Sequence, residues 1–573
     1  MLQGLSLPTY LVGVASMIAV GALGAVVTYL GLASLRIQHS LRPTFYVVSA
    51  GAVLLTGALG YLLHRWCLWG YVVVVPLVAL GVADITQKRH TIRRNFPVIG
   101  NFRYLLEKIR PEIRQYFIES DADEAPYSRE KRTVVYTRAK GTVDTIPFGT
   151  RRPVYRVGYE WIMHSMAAKV PPPGTPRVTV GGPDCSQPYS AAFLNVSAMS
   201  FGALSRNAVL ALNRGAQLGG FYHNTGEGGI SPYHLEHGGD LVWQVGTGYF
   251  GCRTDDGAFC PDRFRDRAAT PTVRMIEIKL SQGAKPGHGG ILPAAKVTPE
   301  IAEIRGVPMG RDVISPPAHT AFSSPIEMME FIGRLRELSD GKPIGFKLCV
   351  GHRRELLSLF KAMLETGIYP DFVTVDGAEG GTGAAPVEFS NSVGMPMVDG
   401  LLLVRNALVG IDARERVRII AAGRISTGYH IARLLALGAD LCNSARAMMF
   451  AVGCIQALKC NTNHCPVGVA TQDASLCRAL DPGDKSERVA SYQAATVESM
   501  MELLGAAGLS HPSDLTPWHV ARRVSATEIK TFAEIYDFVD PGSLLSEPCP
   551  ESLDRHWRRA DASSFRPPET LAH

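Results

Sequence analysis

Cys454, Cys460 and Cys465 form a C-x5-C-x4-C pattern closed by Pro466. Thiolates this close in sequence can converge on one soft centre, and an iron–sulfur cluster or zinc is the usual occupant. Zinc needs a fourth ligand, and the nearest nitrogen, on His464, abuts Cys465, where neighbouring side chains diverge. Three ligands suit a three-iron cluster or a four-iron cluster with an open corner, with reduced structural cysteines as the plain alternative. The remaining cysteines are scattered, without the compact pairing of a disulfide-rich secreted chain.

Glycine-rich loops supply a second kind of chemistry. Gly377-Ala-Glu-Gly-Gly-Thr-Gly follows an apolar run, and Gly380, Gly381 and Gly383 let backbone N–H groups approach an anion closely. Gly423-Arg424 and Ser444-Ala-Arg446 end two later runs, each pairing a turn with a guanidinium. Together they predict a phosphate-bearing cofactor at successive strand ends. Lys347 lies inside the apolar string Gly-Phe-Lys-Leu, where a buried ammonium needs an acceptor. That acceptor is either a cofactor's electron-rich edge or a carboxylate such as Asp376 or Glu379. Glu227 and Lys285 sit on the loops Asn224-Thr-Gly-Glu-Gly-Gly and Gln282-Gly-Ala-Lys-Pro-Gly, with Arg305 one short segment later. Two cations beside one carboxylate suit an anionic small-molecule substrate.

These residues need a frame. Short β-branched runs start at Phe193, Met275, Pro343, Phe372, Arg416 and Asp440, and helical patterns follow several of them: Ser205 to Leu218, Glu355 to Glu365, Gly428 to Leu437 and a helix beyond Phe450. Strands alternating with helices over this length predict an α/β fold with parallel strands. No Gly-rich dinucleotide turn follows the first strand, so a (β/α)8 TIM barrel over residues 151–480 is favoured, with ligands at the strand carboxy ends. Residues 87–150 read as a helical connector and 481–540 as a helical extension. The Pro-, Ser- and Arg-rich stretch 541–573 reads as a disordered tail.

The 573 residues carry a net charge of +6 without a Lys/Arg-dense stripe, which excludes a nucleic-acid binder of the usual kind. Hydrophobicity is concentrated in residues 1–86. Leu7 to Leu35 has no acidic or basic residue, and two more apolar runs cover Phe45 to Leu63 and Leu68 to Ala83, with Pro76 in the third. About twenty apolar residues span a bilayer, so two or three transmembrane helices are expected. With three, Arg36 and Arg42 fall on the same side as Lys88, Arg89, Arg93 and Arg94, the cytoplasmic side of the inner membrane. The catalytic part would then face the cytoplasm.

Several strings resemble the FMN-binding synthase domain of glutamate synthase, in family order from about Ala191 to Gln472. They are Ser197-Ala-Met-Ser-Phe-Gly-Ala-Leu-Ser, Asn224-Thr-Gly-Glu-Gly-Gly, Gln282-Gly-Ala-Lys-Pro-Gly, Ser315-Pro-Pro, Gly380-Gly-Thr-Gly-Ala and Cys460 through Cys465-Pro-Val-Gly. The resemblance implies FMN at the barrel mouth, a [3Fe–4S] cluster on Cys454, Cys460 and Cys465, and 2-oxoglutarate contacts at Glu227, Lys285 and Arg305. It also assigns Ser197, Met199, Ser200, Lys347, Gly380, Gly381, Gly423, Arg424, Ser444 and Arg446 to the flavin. The implied reaction is reductive amination of 2-oxoglutarate to L-glutamate, fed by an electron-donor protein or membrane carrier. Met1-Leu2 and the apolar start stand where the family's glutaminase half would be, so ammonia is expected from outside the chain. His288 and Ile291 replace the family's usual Glu and Gln in a substrate loop. They open an alternative, a membrane-linked FMN/iron–sulfur oxidoreductase acting on a different amino or keto acid.

Overall fold

The computed structural model describes residues 41–120, 126–172, 174 and 176–566. The chain divides into two compact units, Met1–Glu119 and Ser120–His573.

In the first unit, α1 (Arg42–Leu62) and α2 (Tyr71–Thr86) form a hairpin across the short helical turn Arg65–Gly70. His64 caps that turn by accepting from the Trp66 N–H at 3.3 Å. Tyr71 donates its hydroxyl to the Val53 carbonyl at 2.9 Å, and Gly81 leaves room for the Phe45 ring. Pro76 sits inside α2 without ending it. Among the described residues, two helices, Arg42–Leu62 and Arg65–Thr86, are long and apolar enough to cross a membrane, and only 11% and 6% of their most apolar stretches are buried. A soluble core helix hides its apolar face, whereas Leu54, Leu62 and Val72 stay exposed. The run Leu7 to Leu35 lies outside the described residues.

The second unit holds a closed barrel of eight parallel strands: β1 (Leu194–Val196), β2 (His223–Asn224), β3 (Leu241–Val245), β4 (Val273–Lys279), β5 (Ile344–Leu348), β6 (Phe372–Asp376), β7 (Arg418–Ala422) and β8 (Leu441–Ser444). Each strand pairs with the next in sequence, and β8 closes on β1 through Cys442 opposite Leu194 and Ser444 opposite Val196. Side chains alternate between barrel interior and helix layer, and this period of two builds the interior in tiers. Tyr222, Val242, Met275, Phe372, Ile420 and Leu441 form an apolar floor, plugged by Val180, Tyr189 and Ala191 of the hairpin Arg177–Val180 and Tyr189–Ala192. Two residues further along are Asn224, Gln244, Glu277 and Thr374, and two further again are Lys279 and Asp376. Glu277 is buried but satisfied, accepting from Asn224 at 2.8 Å, Gln244 at 2.6 Å and Thr374 at 2.6 Å. Gly345 gives Phe372 its space, and Lys347 follows it two positions on.

Five helices pack around this barrel and matter for the site: α3 (Arg206–Gly219), α4 (Pro299–Arg305), α5 (Arg353–Thr366), α6 (Met397–Gly410) and α7 (Gly428–Ala436). Most have an N-cap signal; Ser205, Thr298 and Thr427 each accept a backbone N–H three residues on. The helix expected beyond Phe450 is corrected: α8 (Arg446–Val452) starts before Phe450 and ends just past it, where Gly453 turns left-handed at φ +115° and the cysteine loop begins. Two barrel strands lack a counterpart in the sequence reading. β2 has only two residues, too few for a periodic signal, and β3 shares its short apolar run with a polar Gln244.

Beyond the barrel, two expectations are corrected. Residues 481–540 are not purely helical. After α9 (Pro482–Ala506) come the strands Val520–Arg523 and Ile529–Thr531, and the first pairs antiparallel with Glu160–Ile162. Gly215 on α3 and Gly428 on α7 let α9 approach closely through Val489 and Met500. The stretch after 541 is likewise not a disordered tail as far as residue 566. Its composition hides apolar anchors: Leu544 covers Gly410, and α10 (Glu551–Arg558) buries Leu553 and Trp557. Lys361 on α5 lies 5.1 Å from the Trp557 ring centroid and donates to the Ala560 carbonyl at 3.0 Å. The connector 87–150 is divided by the unit boundary and has no helix after Ala139.

Candidate active site

At the carboxy ends of the strands lies a cavity of about 570 Å³. Glu227, Lys279, Lys285 and Arg305 gather at one part of its wall. Glu227 stands on the loop after β2, where left-handed Gly226 at φ +66° brings the chain against the Ser200 backbone. Side chains at Gly246 or Gly290 would collide with the Glu227 carboxylate, so both glycines make its socket. Lys279 Nζ, from the end of β4, lies 2.8 Å from Glu227 Oε1. The other two cations come from the long segment after β4, Lys285 from its glycine loop and Arg305 from the last turn of α4. Arg305 donates to the Phe201 carbonyl at 3.0 Å and lies 5.2 Å from the Phe250 ring centroid.

Burial alone would raise the Glu227 pKa. The charges of Lys279, Arg305 and Lys285 outweigh that and hold it below the usual carboxylate value, so Glu227 is an anion at neutral pH. Lys285, 2% exposed, is pushed down to about 8 by burial, with Glu227 pulling up and Lys279 down. Arg305 is lowered to about 10 by burial, against the pull of Glu227. Three cations facing one carboxylate leave a net charge of +2, a complement for a dianion.

Sequence reasoning missed Lys279. Its signal was parity, because Lys279 and Glu277 share the inward face of the strand Val273–Lys279 with the apolar Met275. His319 was missed as well. Its Nε2–H donates to the Lys279 carbonyl at 2.9 Å and its Nδ1 accepts from Tyr249 Oη at 3.1 Å, fixing the end of β4. Burial pushes His319 down to about 4, so it holds this place as a neutral ring.

On the neighbouring strand β5, in register with Lys279, Lys347 Nζ is 3.2 Å from Asp376 Oδ2, which also accepts from the Gly283 N–H at 3.1 Å. The carboxylate partner considered for Lys347 is therefore present, and Lys347 also faces the cavity. Burial works against its charge, but Asp376, Glu277 and Glu227 more than compensate and raise its pKa. Gly380 and Gly381 line the wall with Arg424 and Arg446. A Cβ on Gly381 would meet the Arg446 side chain at 2.9 Å, and Arg446 donates to the Glu379 carbonyl at 2.7 Å. Arg424 is left-handed at φ +49°, a costly conformation for a residue with a Cβ. Met199 and Ser200 also face the cavity. Ser197, Gly423 and Ser444 do not line it: the Ser197 N–H donates to the Ser444 carbonyl at 3.0 Å, and Ser444 Oγ donates to the Ile425 carbonyl at 2.7 Å. The two serines thereby tie together the ends of β1, β7 and β8.

Cys454, Cys460 and Cys465 face the same cavity. Their loop turns through three non-glycine left-handed residues, Gln456, Leu458 and Asn463. Burial pushes the Cys454 thiol up to about 12. The three sulfurs do not all lie within 4.8 Å of one another, the arrangement a single ion would need. His464 is exposed while Cys465 is buried, so the two diverge as adjacent residues should. Cys465 is buried and Cys454 and Cys460 are half-buried, with no disulfide among them.

A parallel eight-stranded barrel with a charged cavity at its carboxy mouth is the architecture of a (β/α)8 enzyme. Residues 188–510 match the conserved region in glutamate synthase. The chain is 39% identical over 498 residues to the glutamate synthase large subunit-like protein YerD of Bacillus subtilis, covering 79% of this chain and 94% of that protein. It is 35% identical over 316 residues to the archaeal glutamate synthase (NADPH) of Methanocaldococcus jannaschii and 34% identical over 315 residues to the archaeal-type glutamate synthase (NADPH) of Thermotoga neapolitana. In both cases 55% of this chain is aligned, but only 59% of the relative. The chain belongs to the glutamate synthase family, and with it to the FMN-dependent oxidoreductases.

Proposed function

We propose that this protein forms L-glutamate by reductive amination of 2-oxoglutarate with ammonia. The observation that carries the proposal is the net +2 charge made by Lys279, Lys285 and Arg305 around Glu227, matched to a dicarboxylate. FMN suits the wall where the glycines at 380 and 381 admit close approach and Arg424 and Arg446 supply charge for its phosphate. Lys347 would face the flavin ring, and Cys454, Cys460 and Cys465 would hold a [3Fe–4S] cluster beside it. Bound FMN supplies a hydride, and the cluster supplies it with electrons from a donor protein or a membrane carrier.

The chain's own residues do the positioning. Arg305 and Lys285 bind the substrate carboxylates, and Lys279 holds Glu227 ionised. Ammonia replaces the 2-oxo oxygen with loss of water, giving 2-iminoglutarate. Glu227 accepts hydrogen bonds from the attacking nitrogen and orients it. Lys285 keeps a proton at Nζ below pH 8, available to the imine as hydride reaches carbon two. The two apolar helices Arg42–Leu62 and Arg65–Thr86 support a membrane anchor, with the barrel on the cytoplasmic side.

A second reading rests on Ile291, an apolar side chain that faces the cavity. It favours an FMN/iron–sulfur oxidoreductase for a different amino or keto acid. Product analysis separates the two. The photoreduced, oxygen-free protein should convert 2-oxoglutarate and ammonium to glutamate; turnover confined to another acid would replace the first reading by the second.

A further inference from the structure

Lys296 ends the short turn Ala294–Lys296, on the same long segment as Lys285 and Arg305. It is 2% exposed, and its ammonium donates to the Ala470 carbonyl at 2.8 Å and the Ala203 carbonyl at 3.1 Å. An ammonium has three donors, so two carbonyls leave one N–H and the whole charge without an anion. Three other buried lysines face this cavity, and each has a carboxylate acting on it: Lys279 has Glu227 at 2.8 Å, Lys347 has Asp376 at 3.2 Å, and Lys285 feels the charge of Glu227. Among the described residues no carboxylate forms an ion pair with Lys296. Burial works against its charge, and the side chains placed to favour that charge, once ionised, are the thiols of Cys460, Cys465 and Cys477. Cys477 is already committed, donating to the Thr471 carbonyl at 3.3 Å. Cys460 and Cys465 face the cavity with Lys296 itself.

A buried cation without an anion is costly enough that a protein rarely keeps one idle. We propose that Lys296 is the counter-ion of the iron–sulfur cluster, a positioning residue whose fixed charge favours the cluster's reduced form. The inference rests on the cluster reading above. Three cysteine thiolates make the cluster anionic, and reduction adds one more negative charge. A desolvated ammonium close to two of its ligands stabilises the reduced state more than the oxidised one, which raises the potential. The cluster would thereby accept electrons from a weaker donor. The two carbonyls hold the ammonium in place so that its charge need not be recruited when the electron arrives.

The test is a redox titration of the full-length protein, following the cluster's EPR signal in wild type, Lys296→Arg, Lys296→Gln and Lys296→Met. Arg should titrate close to wild type. Gln and Met should show at least a tenfold lower ratio of reduced to oxidised cluster at the wild-type midpoint, which for one electron is about 59 mV. Neutral variants that carry the full cluster and titrate like wild type would overturn the proposal. If the neutral variants fail to assemble a cluster while Arg assembles it, charge is still what the cluster needs; if Arg fails as well, shape is the requirement and the proposal falls. Iron and sulfide analysis of wild type separates the underlying reading, because a wild-type protein without either removes the cluster and Lys296's role with it.

Discussion

Lys279 Nζ and Glu227 Oε1 are 2.8 Å apart across the mouth of the barrel, and this pair organises the substrate side of the site. Lys279 is the last residue of β4, so its position is set by the barrel, while Glu227 comes from a glycine loop that the barrel carries. The pair is buried, yet it does not neutralise the site, because Lys285 and Arg305 add two further positive charges. The carboxylate is fixed and ionised, and the surplus charge is left for a ligand.

Glu227→Gln separates binding from chemistry. Removing the negative charge leaves the cations free for the substrate's carboxylates, so KM for 2-oxoglutarate should not rise. The acceptor that orients nitrogen is lost, so kcat should fall by about 10²–10⁴-fold, the usual worth of a positioned proton-transfer or hydrogen-bonding group. Steady-state kinetics at pH 7 reads both values. A raised KM with unchanged kcat would make Glu227 a binding residue only.

The Lys285 proton sets an alkaline limit. Its pKa is lowered from the ordinary lysine range to about 8, so the ammonium is charged below that pH and neutral above it. An anionic substrate needs the charged form, so kcat/KM should be level below pH 8 and fall about tenfold per unit above it. Lys285→Arg keeps its charge throughout and should lose that inflection. An unchanged profile in the arginine variant would assign the limit to another group.

Gly283→Ala tests the cofactor wall. A Cβ at Gly283 would overlap the Gly377 carbonyl oxygen, where the loops after β4 and β6 touch. Backbone on both sides leaves no flexible group to yield, so the substitution should cost about 1–3 kcal/mol and part the loops. Flavin content of the purified variant, measured by absorbance, should fall. Full flavin occupancy with unchanged stability would show that this contact does not shape the cofactor site.

Much of this site was legible because its residues sit at strand ends. Lys347, Glu227, Lys285 and the three cysteines stand out as charges or thiols against glycine or apolar text, and the structure brings them to one cavity. Lys279 was harder to see because a lysine at the end of a strand usually reaches solvent; here neighbouring loops cover it. Ser197 and Ser444 share strings with cavity residues but spend their hydrogen bonds on the ends of the barrel strands; Ser444 is also turned outward by strand alternation, one position after the inward Asn443. The order of residues 541–566 was hidden for a different reason. Leu544, Leu553 and Trp557 are too widely spaced among Pro, Ser and Arg to look like a core, and they find one only on the helices of the barrel.

Trp557→Ala should therefore behave as a core substitution despite its place near the carboxy end. The side chain is 9% exposed and lies beside Lys361, so truncation should cost about 3–5 kcal/mol. A lower urea midpoint for the barrel unit checks it; an unchanged midpoint would mean that α10 docks without stabilising the barrel.

The central claim, a site built for a dicarboxylic keto acid, is tested most directly by rapid mixing of photoreduced, oxygen-free protein with ammonium and either 2-oxoglutarate or 2-oxobutyrate. Flavin reoxidation should be at least about tenfold faster with 2-oxoglutarate, the least that one lost buried charge pair is worth, and should yield glutamate. Reoxidation by 2-oxobutyrate with none by 2-oxoglutarate would contradict the account.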